Sequence, residues 1–166
     1  MDTIINKVAN SGLVVLNLED YYPANQIEII DLAQFLEQGL LLREKSFRET
    51  LKSKTWDHLN GKYVGIHCST DAIVPTWAFM LLSLTVTPHA KKVMMGDAAL
   101  VEHVLFQDAV QQIIAQDFKD AKVIIKGCSN LPVPITAYVT LANHLFPFVQ
   151  SLMYGEPCST VPLYKR

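Results

Sequence analysis

The apolar positions of this chain change character near Asn60-Gly61. Beyond that turn signal, short continuous apolar runs alternate with longer stretches of helical period. The runs predict strands over 63–68, 92–95 and 122–127. The longer stretches predict helices over 75–86, 98–115 and 135–153, the last kinked at Pro147. Asp97 stands where the helix from Ala98 needs an N-cap. Val93-Met94-Met95 and Val123-Ile124-Ile125 are apolar without alternation, as strands covered on both faces are. Strands alternating with helices predict an α/β fold: a three-layer open sheet with a mostly parallel core, helices on both faces and right-handed crossovers.

Ahead of Gly61 the pattern is less regular. It predicts a strand over 13–18 and a second over 27–32 that pairs with it as an N-terminal hairpin. A helix over 40–54 follows, with Leu40, Phe47 and Leu51 on one face. Arg43, Glu44, Arg48 and Glu49 lie toward its other side, where the spacing suits a solvated face with ion pairs. A chain of 166 residues fits a single domain. Within it, 1–60 is a strand and helix segment, 61–154 the alternating core and 155–166 a tail packed on that core.

Composition narrows the classes. Half the residues are hydrophobic and 18% are charged, which is globular. A net charge of −2 and a pI near 6.2 give no electrostatic footprint for nucleic acid. Met1-Asp2-Thr3-Ile4-Ile5-Asn6-Lys7 lacks the basic and apolar blocks of a signal peptide, and three cysteines are an odd count. Both features predict a cytoplasmic protein with reduced thiols. The stretch 127–155 holds no Asp, Glu, Lys or Arg, yet Asn130, Asn143, His144, Gln150 and three prolines break it into runs too short to span a membrane. The helix from Pro75 meets no charge before His89, and that from Ile135 none before Glu156. A helix apolar on all sides has to be covered on more than one, so the pattern predicts a homodimer.

The candidate chemistry lies in a repeated motif. Cys68-Ser69, Cys128-Ser129 and Cys158-Ser159 are each followed by Val-Pro, ending at Pro75, Pro134 and Pro162. Cys68 and Cys128 fall at the carboxyl ends of predicted strands, where open α/β sheets bind ligands. If their strands are neighbours and the tail returns over the same edge, Cys68, Cys128 and Cys158 converge. Three thiolates suit zinc, iron or an iron–sulfur cluster, with a fourth ligand from Asp71, His67, Glu156 or an exogenous group, Asp71 being favoured, and Ser hydroxyls donating to the sulfurs. No Cys-x-x-Cys pair supports this, so two other readings stand beside it. Cys68 or Cys128 at a helix entrance could be the nucleophile of a thiol-dependent enzyme, although His67, the nearest base, points to the opposite face of its strand. The cysteines could also be ordinary buried residues of a protein-interaction module.

Three blocks carry a resemblance. The run from Gly39 to Glu49 in Gly39-Leu40-Leu41-Leu42-Arg43-Glu44-Lys45-Ser46-Phe47-Arg48-Glu49, the block Ala72-Ile73-Val74-Pro75-Thr76-Trp77-Ala78, and Tyr154-Gly155-Glu156-Pro157-Cys158-Ser159-Thr160-Val161-Pro162 resemble an uncharacterised bacterial family catalogued as domain of unknown function 2480. The resemblance covers nearly the whole chain. It implies a small cytoplasmic protein without assigned catalytic residues. Family members encoded beside iron–sulfur assembly genes imply a metal or cluster, with iron–sulfur assembly proteins as partners.

Overall fold

The apolar runs fold as an α/β protein, in two mostly parallel sheets where one was expected. The computed structural model describes residues 12–22, 26–127 and 130–166. The chain divides into a nested unit, Pro23–Glu102, and a flanking unit, Met1–Tyr22 with His103–Arg166. Strand β1 (Leu13–Leu16) belongs to the flanking unit. The nested unit runs β2 (Ile27–Asp31), α1 (Glu44–Ser53), β3 (Tyr63–His67), α2 (Thr76–Val86) and β4 (Lys92–Met95), with its parallel strands in the order β2-β3-β4. Helix α3 (Ala98–Gln112) leads on to β5 (Lys122–Lys126), α4 (Ile135–Leu145), β6 (Ser151–Glu156) and β7 (Ser159–Lys165). The flanking sheet is ordered β1-β5-β6-β7, with β7 antiparallel.

The strands that precede Cys68 and Cys128 are therefore not neighbours. β3 lies between β2 and β4, and β5 between β1 and β6. The expected N-terminal hairpin is also absent: β1 pairs parallel with β5, and β2 pairs parallel with β3. A parallel partner needs a long crossover, and the residues after each of these strands supply one.

The two units are one topology written twice. A single numbering shift carries Tyr63 onto Lys122, Lys92 onto Ser151, and every β3–β4 pair onto a β5–β6 pair. The same shift carries Pro75 onto Pro134, each the residue before an eleven-residue helix, and carries Pro88 onto Pro147. Buried Ala78, Leu82 and Val86 map onto buried Ala137, Leu141 and Leu145, and Phe47 maps onto Phe106. Gly96 and Gly155 correspond, with φ of 141° and 129°, in a region that favours glycine. Loop hydrogen bonds repeat as well. Lys91 N donates to Lys62 O, and Gln150 N to Ala121 O, both at 2.8 Å.

Each unit has its own core. In the nested unit, Val64 and Ile66 share one strand face and pack with Phe47 and Leu51 of α1 and Leu82 of α2. In the flanking unit, Val123 and Ile125 do the same with Phe106 and Val110 of α3 and Leu141 of α4. Leu40, expected on the buried side of α1, is exposed, because the helix starts only at Glu44; Leu42 is buried ahead of it. The charged side is as predicted: Arg48 pairs with Glu44 at 2.9 Å, and Arg43 reaches Glu37 at 2.6 Å. Asp97 caps α3 by accepting from Leu100 N at 2.9 Å.

The predicted helix over 135–153 ends early. Pro147 has no N–H to give a helix, so α4 stops at Leu145 and the chain re-emerges as β6. The charge-free composition of 127–155 concealed that change of structure, because the strand is as apolar as the helix before it.

Candidate functional site

In the nested unit, β3 ends at His67 and releases Cys68-Ser69-Thr70-Asp71 into the loop that leads to α2. A carboxylate from the neighbouring strand holds this loop. Asp31, the last residue of β2, accepts from Ser69 N at 3.0 Å and from Ser69 Oγ at 2.5 Å. It also accepts from Ala33 N at 2.9 Å, capping the 3-10 turn that follows its own strand. Burial would raise the Asp31 pKa. The Ser69 hydroxyl, the Ala33 and Ser69 N–H groups and nearby His67 outweigh it and hold the carboxyl below its ordinary value.

The flanking unit repeats the arrangement. Asn17 caps a 3-10 turn after β1 by accepting from Glu19 N at 3.1 Å. Glu19 then accepts from the backbone N–H groups of Asn130 and Leu131, in the loop between β5 and α4. Both loops at the carboxyl end of a middle strand are thus tied to an acid, the last residue of β2 in one unit and a residue of the 3-10 turn after β1 in the other. Sequence reasoning missed Asp31 and Glu19. No local signal pointed to them, because the loops they bind lie 38 and 111 residues further along the chain.

The expected metal ligands are placed as follows. Cys68 is half-buried against the nested core, with Sγ 3.4 Å from Thr70 Oγ1. Asp71 is exposed in the same loop. Cys128 lies outside the described residues. Cys158 is exposed in the two-residue turn between β6 and β7. Among the described residues, no three His, Cys, Asp or Glu side chains come together as a metal requires. Two of the five histidines have ordinary partners: His103 Nδ1 is 2.9 Å from Thr136 Oγ1, and His144 Nε2 is 2.7 Å from Ile113 O.

The sequence matches, over residues 2–166, the family described as "Protein of unknown function (DUF2480)". The chain belongs to the DUF2480 family. No curated protein and no solved structure matches it. No described helix of this DUF2480 protein is long and apolar enough to cross a membrane.

The tail of the DUF2480 chain is held by its own backbone. β7 pairs with β6 from Ser151↔Lys165 to Glu156↔Ser159, and Arg166 closes the end by donating to Asp120 at 2.9 Å. This ladder accounts for an ordered tail without a thiolate bond. Cys158→Ser is therefore expected to leave resistance to proteolysis near Tyr154 unchanged. Rapid cleavage there in the variant would show that the thiol, and not the ladder, fixes the tail.

An open cleft of about 510 Å³ lies beside β2, between Glu28, Gln34, Lys54, Trp56 and His58. Its lysine is already engaged: Lys54 Nζ donates to Gln34 Oε1 at 2.8 Å and sits 4.9 Å from the Phe35 ring centroid. Trp56 Nε1 donates to Leu51 O. The cleft is built by structural contacts.

Proposed function

We propose that this protein is an interaction module that docks apolar protein partners through α2 and α4. The observation that carries the reading is an uncharged apolar stripe on α2, with exposed apolar residues on α4 that share one repeat position with it. On α2, Met80 and Leu84 are 61% and 72% exposed, one helical turn apart, with Ile73 at 94% just before the helix. On α4, Ile135 and Val139 are 79% and 55% exposed, and Phe146 at its end is 50% exposed. Val139 is the counterpart of Met80 under the repeat shift. Aligned apolar residues of this size on an exposed face mark an interaction surface. No charge falls between Asp71 and His89, so a charged partner surface would be buried there unpaired at high cost. The partner is therefore a protein with an apolar face. The family resemblance makes iron–sulfur assembly proteins the first to test.

Met80→Glu with Leu84→Glu places two charges on the α2 stripe while leaving buried Ala78, Leu82 and Val86 untouched. Binding to purified iron–sulfur assembly proteins from the same genome should fall at least tenfold in titration calorimetry, with the melting temperature unchanged. Equal binding by the double variant, or no binding by the unmodified protein, overturns the reading. The competing reading is a zinc or iron–sulfur centre held by Cys68, Cys128, Cys158 and Asp71. Stoichiometric metal in anaerobically purified protein, lost in Cys158→Ser, would put that centre in place of docking.

A further inference from the structure

The repeat exposes a difference between its two copies. In the flanking unit the outer edge of β6 is covered by β7. In the nested unit the counterpart strand is β4, and among the described residues its one strand partner is β3. Both counterpart pairs are more exposed on β4: Leu152 on β6 is 2% exposed and its counterpart Val93 half-buried, while Tyr154 is 38% exposed and its counterpart Met95 58%. Val93-Met94-Met95, which reads in sequence as a strand covered on both faces, lacks that cover among the described residues.

We infer that β4 pairs antiparallel with β4 of a second copy of this chain, so that the dimer supplies what β7 supplies in the flanking unit. The direction is taken from β7, which lies antiparallel on the equivalent edge. The register comes from the backbone. Gly96 N donates to Ile66 O at 2.8 Å, so Gly96 and, two residues back, Met94 turn their main-chain groups toward β3. Val93 and Met95 turn theirs away. These are the counterparts of Leu152 and Tyr154, which pair with Tyr164 and Val161 of β7. Two antiparallel copies satisfy both outward residues only when Val93 faces Met95 of the second copy. Met94 then meets Met94 on the two-fold axis, and Lys91 lies opposite Asp97 of the second copy. The strand thus has opposite charges at its two ends, which this antiparallel register brings together. The contact is isologous and closes at two chains. It uses no residue of α2 or α4.

Sedimentation and residue-specific cross-linking test this. The unmodified protein should sediment as a concentration-dependent dimer. Met95→Pro removes one outward N–H while sparing the bonds to β3, and should shift the protein to monomer with its helical signal retained. Met94→Cys places two thiols about 4.5 Å apart between Cα atoms across the axis, within disulfide reach. Mild oxidation should give a 94–94 link, read by peptide mass spectrometry to separate it from links through the native thiols. Val93→Cys, whose two copies lie apart in this register, should give several-fold less self-linkage. A dimer that survives Met95→Pro, an unmodified protein that stays monomeric up to millimolar concentration, or no 94–94 link overturns the inference. Met80→Glu with Leu84→Glu should leave the dimer intact, so failure of the docking reading and failure of this one are separable.

Discussion

Gly65→Ala should cost about 3 kcal/mol, the upper part of the usual range for overpacking a core. A Cβ on Gly65 would lie 2.6 Å from the Gly96 carbonyl oxygen and 2.7 Å from both Ile29 Cδ1 and Val101 Cγ2. The two side chains could give way by rotation. The carbonyl cannot, because Gly96 is fixed by its N–H bond to Ile66 O in the same sheet. The strain falls on the middle strand of the nested unit and on the turn that leaves β4. Against a typical total stability of about 5–15 kcal/mol, the loss is a substantial fraction. For a chain of this size it lowers the melting temperature by roughly 6–12 °C. Thermal unfolding followed by circular dichroism measures it, and an unchanged midpoint would show that the turn at Gly96 is loose. The corresponding position of the flanking unit holds Ile124, 2% exposed. The repeat therefore tolerates a large side chain at this place, and glycine is required only where Gly96, Ile29 and Val101 close in.

The fold was most legible where one periodicity governed a whole element. The strand over 92–95 and the helix over 75–86 are found within one residue of expectation, because turns and prolines mark their ends. Strand order was not legible. Both strands ending next to Cys-Ser are covered, apolar and parallel, and nothing in their residues distinguishes two middle strands of separate sheets from neighbours in one. The Cys-Ser motif falls, in sequence, between strand and helix in both copies of the repeat, after β3 and after β5. The shift that superimposes the strands places Cys68 on Gly127, so even in the two copies the thiols differ by one position. The third copy, at Cys158, is a hairpin turn of a different kind. Asp31 and Glu19 were hidden because a carboxylate that binds a loop far along the chain has no local spacing to show it.

That clamp supplies the second large effect. Asp31→Asn should destabilise the protein by about 1–2 kcal/mol at neutral pH. A charged acceptor of three hydrogen bonds is worth more than that when sheltered, but this carboxylate is partly solvated and its contribution is screened. The amide keeps Oδ1 for the two N–H groups and turns its NH₂ to the Ser69 hydroxyl, which must then accept; what is lost is the charge that strengthens all three bonds. The pH dependence fixes the origin. With the folded pKa of Asp31 below the ordinary value of about 3.9, the carboxylate contributes its full stability above that value. The contribution fades as pH falls through the lower, folded pKa, where the acid binds a proton in both states. The stability gap between the unmodified protein and Asp31→Asn should therefore be constant from neutral pH down to about 4 and close below it. Urea unfolding at a series of pH values reads the gap. The local consequence is separable from the global one. With the Ser69 bonds weakened, the loop after β3 opens more often, and Cys68 should react faster with a thiol reagent, measured peptide by peptide, while Cys158 keeps its rate. A gap that does not begin to narrow below about pH 4, or a Cys68 rate that does not move, would mean that the loop is held by the packing of Val74 and Cys68 on the core and that the carboxylate is incidental.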